Sequence, residues 1–284
     1  MTCTDFAAHP FSATLRATLR HGNDATRSVI DGVLVTALAC GGAGRAWQQA
    51  DGVVQLRATS EAGIDELRFV LALDDDHSEF VRRFARDPLI GAAIRRERGL
   101  RPLRTATVAQ SLLRAVCGQL IQASRARQIE RTVIRSLTPQ LAGTKLHAPP
   151  TCDDLGRVAP ARLRQLGVGM RRGASLVRIC RSLELERLRA LPSDASAERL
   201  LRERGLGPWS VGVVFLEGLG RYDRGLVADL GLVKLLSALR GRWVEGWETA
   251  ELLEPYGDWA GLASVYLLNA FAKGLVPLPK TAAA

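Results

Sequence analysis

The sequence has no two cysteines at metal-binding spacing. Its five cysteines, at 3, 40, 117, 152 and 180 of 284 residues, stand singly, which excludes a zinc ribbon or an iron–sulfur cluster built on Cys-x-x-Cys. Cys117 and Cys180 sit in apolar, helix-like surroundings and read as small hydrophobes. The four histidines share no motif, so neither a His-Glu-x-x-His site nor another side-chain metal centre is expected. No apolar run approaches the roughly 18 residues a membrane helix needs. The opening MTCTDFAAHPFSATLRATLR lacks the basic, then apolar, then small-residue order of a secretory signal, and a cytoplasmic protein without membrane contact is expected. Lysine is scarce as well, at only four of the 39 basic residues (145, 234, 273 and 280).

Arginine fills that gap, and its placement is uneven. The net charge of +10 divides into −5 over residues 1–81, +16 over residues 82–189 and −1 over residues 190–284. A basic middle third suits a polyanion, and arginine forks suit phosphate. An arginine-rich surface with no partner is the competing reading of the same numbers. A composition of 47% hydrophobic and 24% charged residues is globular.

The pattern along the chain predicts an α+β fold. In residues 1–81 the short Val-, Leu- and Thr-rich stretches Ser12–Arg20, Gly32–Ala39, Gly52–Ala58 and Leu67–Leu73 are separated by Gly, Asn and Asp, as strands are by turns. Asp74-Asp75-Asp76 ends that pattern. Residues 82–284 form the second domain, almost wholly helical, with no internal repeat. Its helices are predicted at Glu79–Arg86, Asp87–Glu97, Thr107–Gln119, Ala123–Leu137, Pro160–Leu166, Met170–Arg189, Ala195–Arg204, Pro208–Gly218, Leu230–Leu239, Glu248–Leu253 and Leu262–Ala272. The apolar face of the third carries Leu112, Leu113, Val116 and Leu120.

One stretch carries chemistry. Leu200 and Leu201 close a helix, Gly205-Leu206-Gly207 makes a turn, and Pro208-Trp209-Ser210-Val211 opens a second helix with proline at its first position. Glycines there let the backbone approach a ligand, and the N–H groups at the second helix's start favour an anion. No lysine or threonine follows as a P-loop would require. Twenty residues beyond Trp209, Asp229 precedes the apolar helix Leu230–Leu236.

A Gly-x-Gly hairpin followed by such an aspartate resembles the helix-hairpin-helix glycosylase superfamily of DNA repair enzymes. Leu113-Arg114-Ala115-Val116-Cys117-Gly118-Gln119-Leu120-Ile121 is similar to that superfamily's "RAI-x-GQ" helix end. Glu97-Arg98-Gly99-Leu100-Arg101 is similar to the "RPGLR" of 3-methyladenine DNA glycosylase II. The likeness spans about residues 10–275 and is strongest in 97–125 and 200–236. It implies a small TBP-like N-terminal domain and two helical subdomains flanking a cleft. The pattern departs from the family at Arg204 (usually proline), at Gly225-Leu226 (usually an aromatic–proline pair) and at Val213 (usually tyrosine).

The resemblance assigns roles. Asp229 is the catalytic carboxylate, and Trp209 and Val213 line the base pocket. Leu120 with Gln119 fills the gap left by a flipped nucleotide, and Gly205, Leu206, Gly207, Pro208 and Trp209 hold a DNA phosphate. No cofactor is implied beyond a monovalent cation on the carbonyls of Leu201, Glu203 and Leu206. Bifunctional relatives carry a nucleophilic lysine at position 209, so Trp209 implies hydrolysis by water. Asp223 is assigned to a loop. The expected partner is duplex DNA with damaged bases, met by a monomer, and the expected reaction is release of alkylated bases. A non-catalytic lesion-binding protein and a glycosylase for oxidised or deaminated bases are the alternatives.

Overall fold

The computed structural model describes residues 2–7 by their backbone, and residues 15, 22–97 and 99–278 in full. Strands β1 (Thr2–Ala7), β2 (Arg27–Ile30), β3 (Val33–Ala37), β4 (Ala43–Gln48) and β5 (Val53–Ala58) form one antiparallel sheet in the order β1-β5-β4-β3-β2. The β2–β3 hairpin closes on Asp31-Gly32, both at positive φ (51° and 78°), the two-residue turn whose twist matches paired strands. Helix α1 (Glu61–Val70) starts at Ser60, whose hydroxyl accepts from the Gly63 N–H. It buries Ile64 and Leu67 against Leu34, Leu56 and Leu15.

Two predictions for this region change. Leu67–Leu73, read as a strand, is the last turn of α1 and the bend after it. Its Leu/Val content serves a helix face equally well. Ser12–Arg20 lies outside the described residues except for Leu15. The apolar contacts pass from the sheet core to the helical core between Leu73 and Phe80. Helix α2 (Ser78–Phe84) therefore runs across the expected boundary at residue 81, because Phe80 and Phe84 pack on Tyr266 and Tyr256 at 5.2 and 5.0 Å between ring centres.

The remaining helices are α3 (Gly91–Arg96), α4 (Val108–Gly118), α5 (Ala123–Leu137), α6 (Cys152–Gly156), α7 (Pro160–Gln165), α8 (Met170–Ser182) and α9 (Ser193–Leu201). After the hairpin come α10 (Pro208–Val213), prolonged by a π turn at Val214–Leu219, then α11 (Leu230–Arg240), α12 (Thr249–Leu253) and α13 (Ala260–Ala272). The single helix predicted over Met170–Arg189 breaks after Ser182. Leu183 is extended and a 3-10 turn follows, which brings Leu183, Leu185 and Leu188 all into the core.

The helices make two cores. One gathers Leu112, Leu113 and Val116 of α4 with α5 and α8; the other gathers α2, α3 and α11 to α13. Helices α4 and α10 serve both. Ala115 and Val213 face the second core, whereas Val116, Val211 and Val214 face the first.

A buried ionic junction ties the N-terminal segment to the helical body. The Arg114 guanidinium on α4 donates to Asp24 and to Glu130, each at 2.9 Å, and pairs with Glu217. Burial alone raises the Asp24 carboxyl, but Arg27, Arg114 and Thr26 outweigh it and hold it below the usual carboxylate range. Burial pushes Glu130 up, and Arg114 offsets this only in part.

Candidate active site

The hairpin between α9 and α10 is held from three sides. Its turn closes through the Leu206 N–H on the Glu203 carbonyl at 3.1 Å. Gly205 takes φ +99°, and a Cβ there would stand 2.7 Å from the Ser175 hydroxyl, so only glycine lets the hairpin settle on α8. Arg178 of α8 donates to the Arg204 carbonyl at 2.7 Å and pairs with Glu203. Gly207 is extended with open space around it. Pro208 opens α10, leaving first-turn N–H groups without a helical acceptor.

Asp229 stands at the head of α11 with both carboxylate oxygens engaged. Oδ1 accepts from the Gly231 N–H at 2.8 Å, capping the helix. Oδ2 accepts from the Trp209 indole Nε1–H at 3.0 Å. The cap and the indole contact are made by one side chain at once. Ala228, just before it, sits at φ +69°, a conformation an alanine adopts only when its surroundings impose it. Buried Thr249 imposes it, accepting from the Ala228 N–H at 2.7 Å and donating to the Gly246 carbonyl at 2.7 Å.

Glycines set the distance between these parts. A Cβ on Gly118 would stand 2.6 Å from the Trp209 ring, so the end of α4 must be glycine for the indole to reach Asp229. A Cβ on Gly212 would stand 2.5 Å from the Gly225 carbonyl, so α10 and the loop before Asp229 touch backbone to backbone. A Cβ on Gly225 itself would stand 2.6 Å from the Leu253 side chain of α12, which accounts for glycine where the superfamily usually has an aromatic residue. Gly118→Ala is therefore expected to lower the melting temperature. Relief of a helical glycine alone would raise stability by about 1 kcal/mol, so a rise on thermal melting would show that Trp209 yields freely.

Leu120 is wholly exposed (102%) at φ +59°. It does not continue the apolar face of α4, because the helix ends at Gly118 and the chain turns at Gln119. Gln119 departs from its expected place beside the wedge. Its amide donates to the Gly205 carbonyl and the Ser210 hydroxyl, both at 2.9 Å, and its carbonyl accepts from Arg172 at 2.6 Å. Gln119 is thus a strut between α4 and the hairpin, and Leu120 alone projects from the corner.

Val213 also differs from expectation. At 6% exposure it packs in the second core with Leu226, Leu216 and Ala115, since its position on α10 points away from the hairpin. Leu206, too, buries its side chain, leaving its backbone to the turn. Asp223 lies in the loop, bonded to Ser193 and Arg224. The basic middle third is divided. Arg101, Arg104 and Arg114 are spent inside the fold, while Arg125, Arg127 and Arg171 are exposed in the chain just beyond Leu120 and at the start of α8. Among the described residues no cluster of His, Cys, Asp or Glu could hold a metal, and no helix is long and apolar enough to cross a membrane.

Reasoning from sequence missed Thr249 and Arg172, and it quoted Gly118 only within the helix-end motif, without its packing role. Only Gly118 left a signal, as a glycine ending an otherwise well-formed helix.

No protein-family model matches the chain. A DNA-3-methyladenine glycosylase of Bacillus subtilis is 24% identical over 204 residues, 69% of this chain and 67% of that protein. A probable bifunctional transcriptional activator/DNA repair enzyme AlkA of Mycobacterium tuberculosis is 26% identical over 168 residues, and the match spans only 34% of its length. Among solved structures, the 3-methyladenine DNA-glycosylase of Archaeoglobus fulgidus superposes with a TM-score of 0.81 at 19% identity, over 96% of this chain and 98% of that one. The 8-oxoguanine glycosylase/lyase of Clostridium acetobutylicum, in complex with DNA, gives 0.78 at 19% identity over 93% of each chain. In this fold, in this curated relative and in an aspartate bonded to the hairpin tryptophan, the chain is similar to the helix-hairpin-helix glycosylase superfamily.

Proposed function

We propose that the protein is a monofunctional DNA glycosylase that hydrolyses the N-glycosidic bond of alkylated bases, of the 3-methyladenine type, in duplex DNA. It acts as a cytoplasmic monomer that initiates base excision repair, with a TBP-like N-terminal domain. The observation that carries this reading is the bond between Trp209 and Asp229, with Leu120 exposed two residues beyond the Gly118 on which the Trp209 ring packs. A carboxylate fixed by two donors can face a developing sugar cation without reorganising. A protein that only held DNA would need no negative charge at this position, since a neutral Asn or Ser caps a helix as well.

The reaction follows from these groups. A base inside the stack hides its glycosidic bond, so the nucleotide swings out and Leu120 occupies the space it leaves. The C1′–N bond breaks and its electron pair goes to the base. An alkylated purine already carries positive charge and leaves neutral, without a general acid. Asp229 stabilises the oxocarbenium-like sugar while water bonds to C1′ and loses its proton to solvent. The Trp209 ring presents a π face suited to a cationic base. Phosphates rest on the hairpin from Gly205 to Trp209. A monovalent cation on the carbonyls of Leu201, Glu203 and Leu206 would strengthen that contact, and the Glu203 carbonyl keeps a lone pair free beyond its bond to Leu206.

A base-release assay on a lesion panel tests the reading. Release of 3-methyladenine, with an intact abasic strand as product, is expected. The fold shared with an 8-oxoguanine glycosylase/lyase favours oxidised bases as the second reading. Preferential release of 8-oxoguanine, or an adduct trapped by borohydride, would establish that reading instead, because Trp209 offers no amine. Leu120→Ala is expected to leave thermal stability within about 0.5 kcal/mol, as an exposed side chain should, and to slow base release. A large loss of stability would instead make Leu120 a structural residue.

A further inference from the structure

Helix α4 ends at Gly118, and the chain turns through Gln119 at φ −59°, ψ 123° and Leu120 at φ +59°. These angles match the two central residues of a type II turn. The commoner type I turn differs from it by a half-rotation of one peptide plane, here the one joining Gln119 to Leu120. In type I the second residue has negative φ and accepts most side chains. In type II its φ is positive, which favours glycine or asparagine. Leucine therefore disfavours the turn in which it is found. The Gln119 carbonyl points to opposite sides of the corner in the two turns, so whatever binds it selects between them.

Arg172 on α8 holds that carbonyl. Its guanidinium donates to it at 2.6 Å, from 53 residues away in the sequence, and the charge on the donor strengthens the bond. Gly169, just before α8, leaves the guanidinium room: a Cβ there would stand 3.2 Å from Arg172 Nε and 3.3 Å from Nη2. The bonds of the Gln119 side chain to Gly205 and Ser210 do not replace this one. A peptide flip changes ψ of residue 119 and φ of residue 120, and it leaves the Gln119 side chain where it is.

We propose that Arg172 is a positioning residue for base extrusion, fixing the direction of Leu120 by holding the Gln119 carbonyl. The assignment rests on the glycosylase reading above. Without the guanidinium the Gln119–Leu120 peptide turns over, Leu120 relaxes to negative φ, and its Cα–Cβ bond swings with the plane. Leu120 is then still exposed, but no longer at the angle from which it enters the duplex.

A double-mutant cycle on Arg172→Met and Leu120→Ala tests this by single-turnover base release from a duplex carrying 3-methyladenine. Methionine keeps the apolar stem of arginine and removes the donors. Alone it is expected to slow release about tenfold, short of the roughly hundredfold that a misplacement of about 1 Å at the reacting atoms costs. In the Leu120→Ala background it is expected to change nothing further. Affinity for undamaged duplex and its salt dependence are expected to stay as in wild type, since a lost phosphate contact would lower both. Losses that multiply in the double variant, or a weaker salt dependence, would make Arg172 a DNA ligand and overturn the assignment. Melting temperatures read the turn without any chemistry. In the wild-type background Leu120→Gly is expected to melt above Leu120→Ala, because glycine accepts positive φ. With Arg172→Met the order is expected to reverse, because glycine's freedom in the unfolded chain then counts against it. The same order in both backgrounds would also overturn the assignment. A wild-type protein that releases no base would refute the glycosylase reading instead, and the melting comparison would still decide the turn.

Discussion

Asp229→Asn is expected to give a protein that folds and binds DNA yet releases methylated base at least about a hundredfold more slowly. Asparagine keeps the side chain's shape and can still accept from Gly231, so the α11 cap survives. Its amide cannot accept at both oxygen positions, so one of the two donors, Gly231 or Trp209, loses its partner. A partly exposed hydrogen bond of this kind is worth about 1 kcal/mol. The loss of negative charge opposite the sugar matters far more: removing a preorganised group that faces developing charge costs about 3–4 kcal/mol. DNA affinity is expected to hold or rise, because a carboxylate no longer faces phosphates. Single-turnover base release and a binding titration on the same oligonucleotide separate the two effects. Turnover within a few-fold of wild type would reduce Asp229 to a helix cap.

The largest effect on stability is expected at Arg114→Met. Methionine fills much of the volume but leaves Asp24, Glu130 and Glu217 facing one another without their shared cation. Breaking a buried ionic cluster from one side typically costs about 3–5 kcal/mol, or roughly 6–15 °C in melting temperature for a chain of this size. The pH dependence has a definite sign. Without the cation, the clustered carboxyls titrate above their unfolded values and the folded state binds more protons. The variant therefore gains stability relative to wild type as pH falls from 7 towards 5. In wild type the depressed Asp24 acts oppositely: its contribution is present above the ordinary carboxylate range and fades as pH falls through its lowered value. Melting curves at pH 5 and pH 7 read both trends; an unchanged deficit would mean that the three carboxyls do not interact.

What could be read from the sequence is what depends on neighbours along the chain. The helix behind Asp229, the Gly-x-Gly turn and the proline start of α10 are local statements, and they stand where expected. Strands β3 and β5 were visible as Val- and Leu-rich runs. Strand β4, AGRAWQ, was hidden because alanine and glycine occupy places where its alternation should show. Gly44 is small there so that Leu67 of α1 can rest on the strand, a Cβ standing 2.9 Å from it. The site's supports were hidden for another reason. Gln119 meets Gly205 across 86 residues and Arg114 meets Glu217 across 103, and no periodicity marks such a pair. A residue's type can suggest a role, but only the turn after Gly118 decided that Leu120 would project and Gln119 would brace the hairpin.

Under the proposed reading, that turn also decides where the work of base extrusion falls. Gln119 is tied to the hairpin and to Arg172 before any DNA arrives, so Leu120 is already held in its left-handed pose. A loop that had to order itself on contact would charge its entropy against every encounter. Here the protein is stiff at the point of contact and the duplex must deform. The quantity sensed at each step along DNA is then the local strength of stacking and pairing. A lesion that loosens its own base pair is met as a weak point before its chemical identity has been read at all.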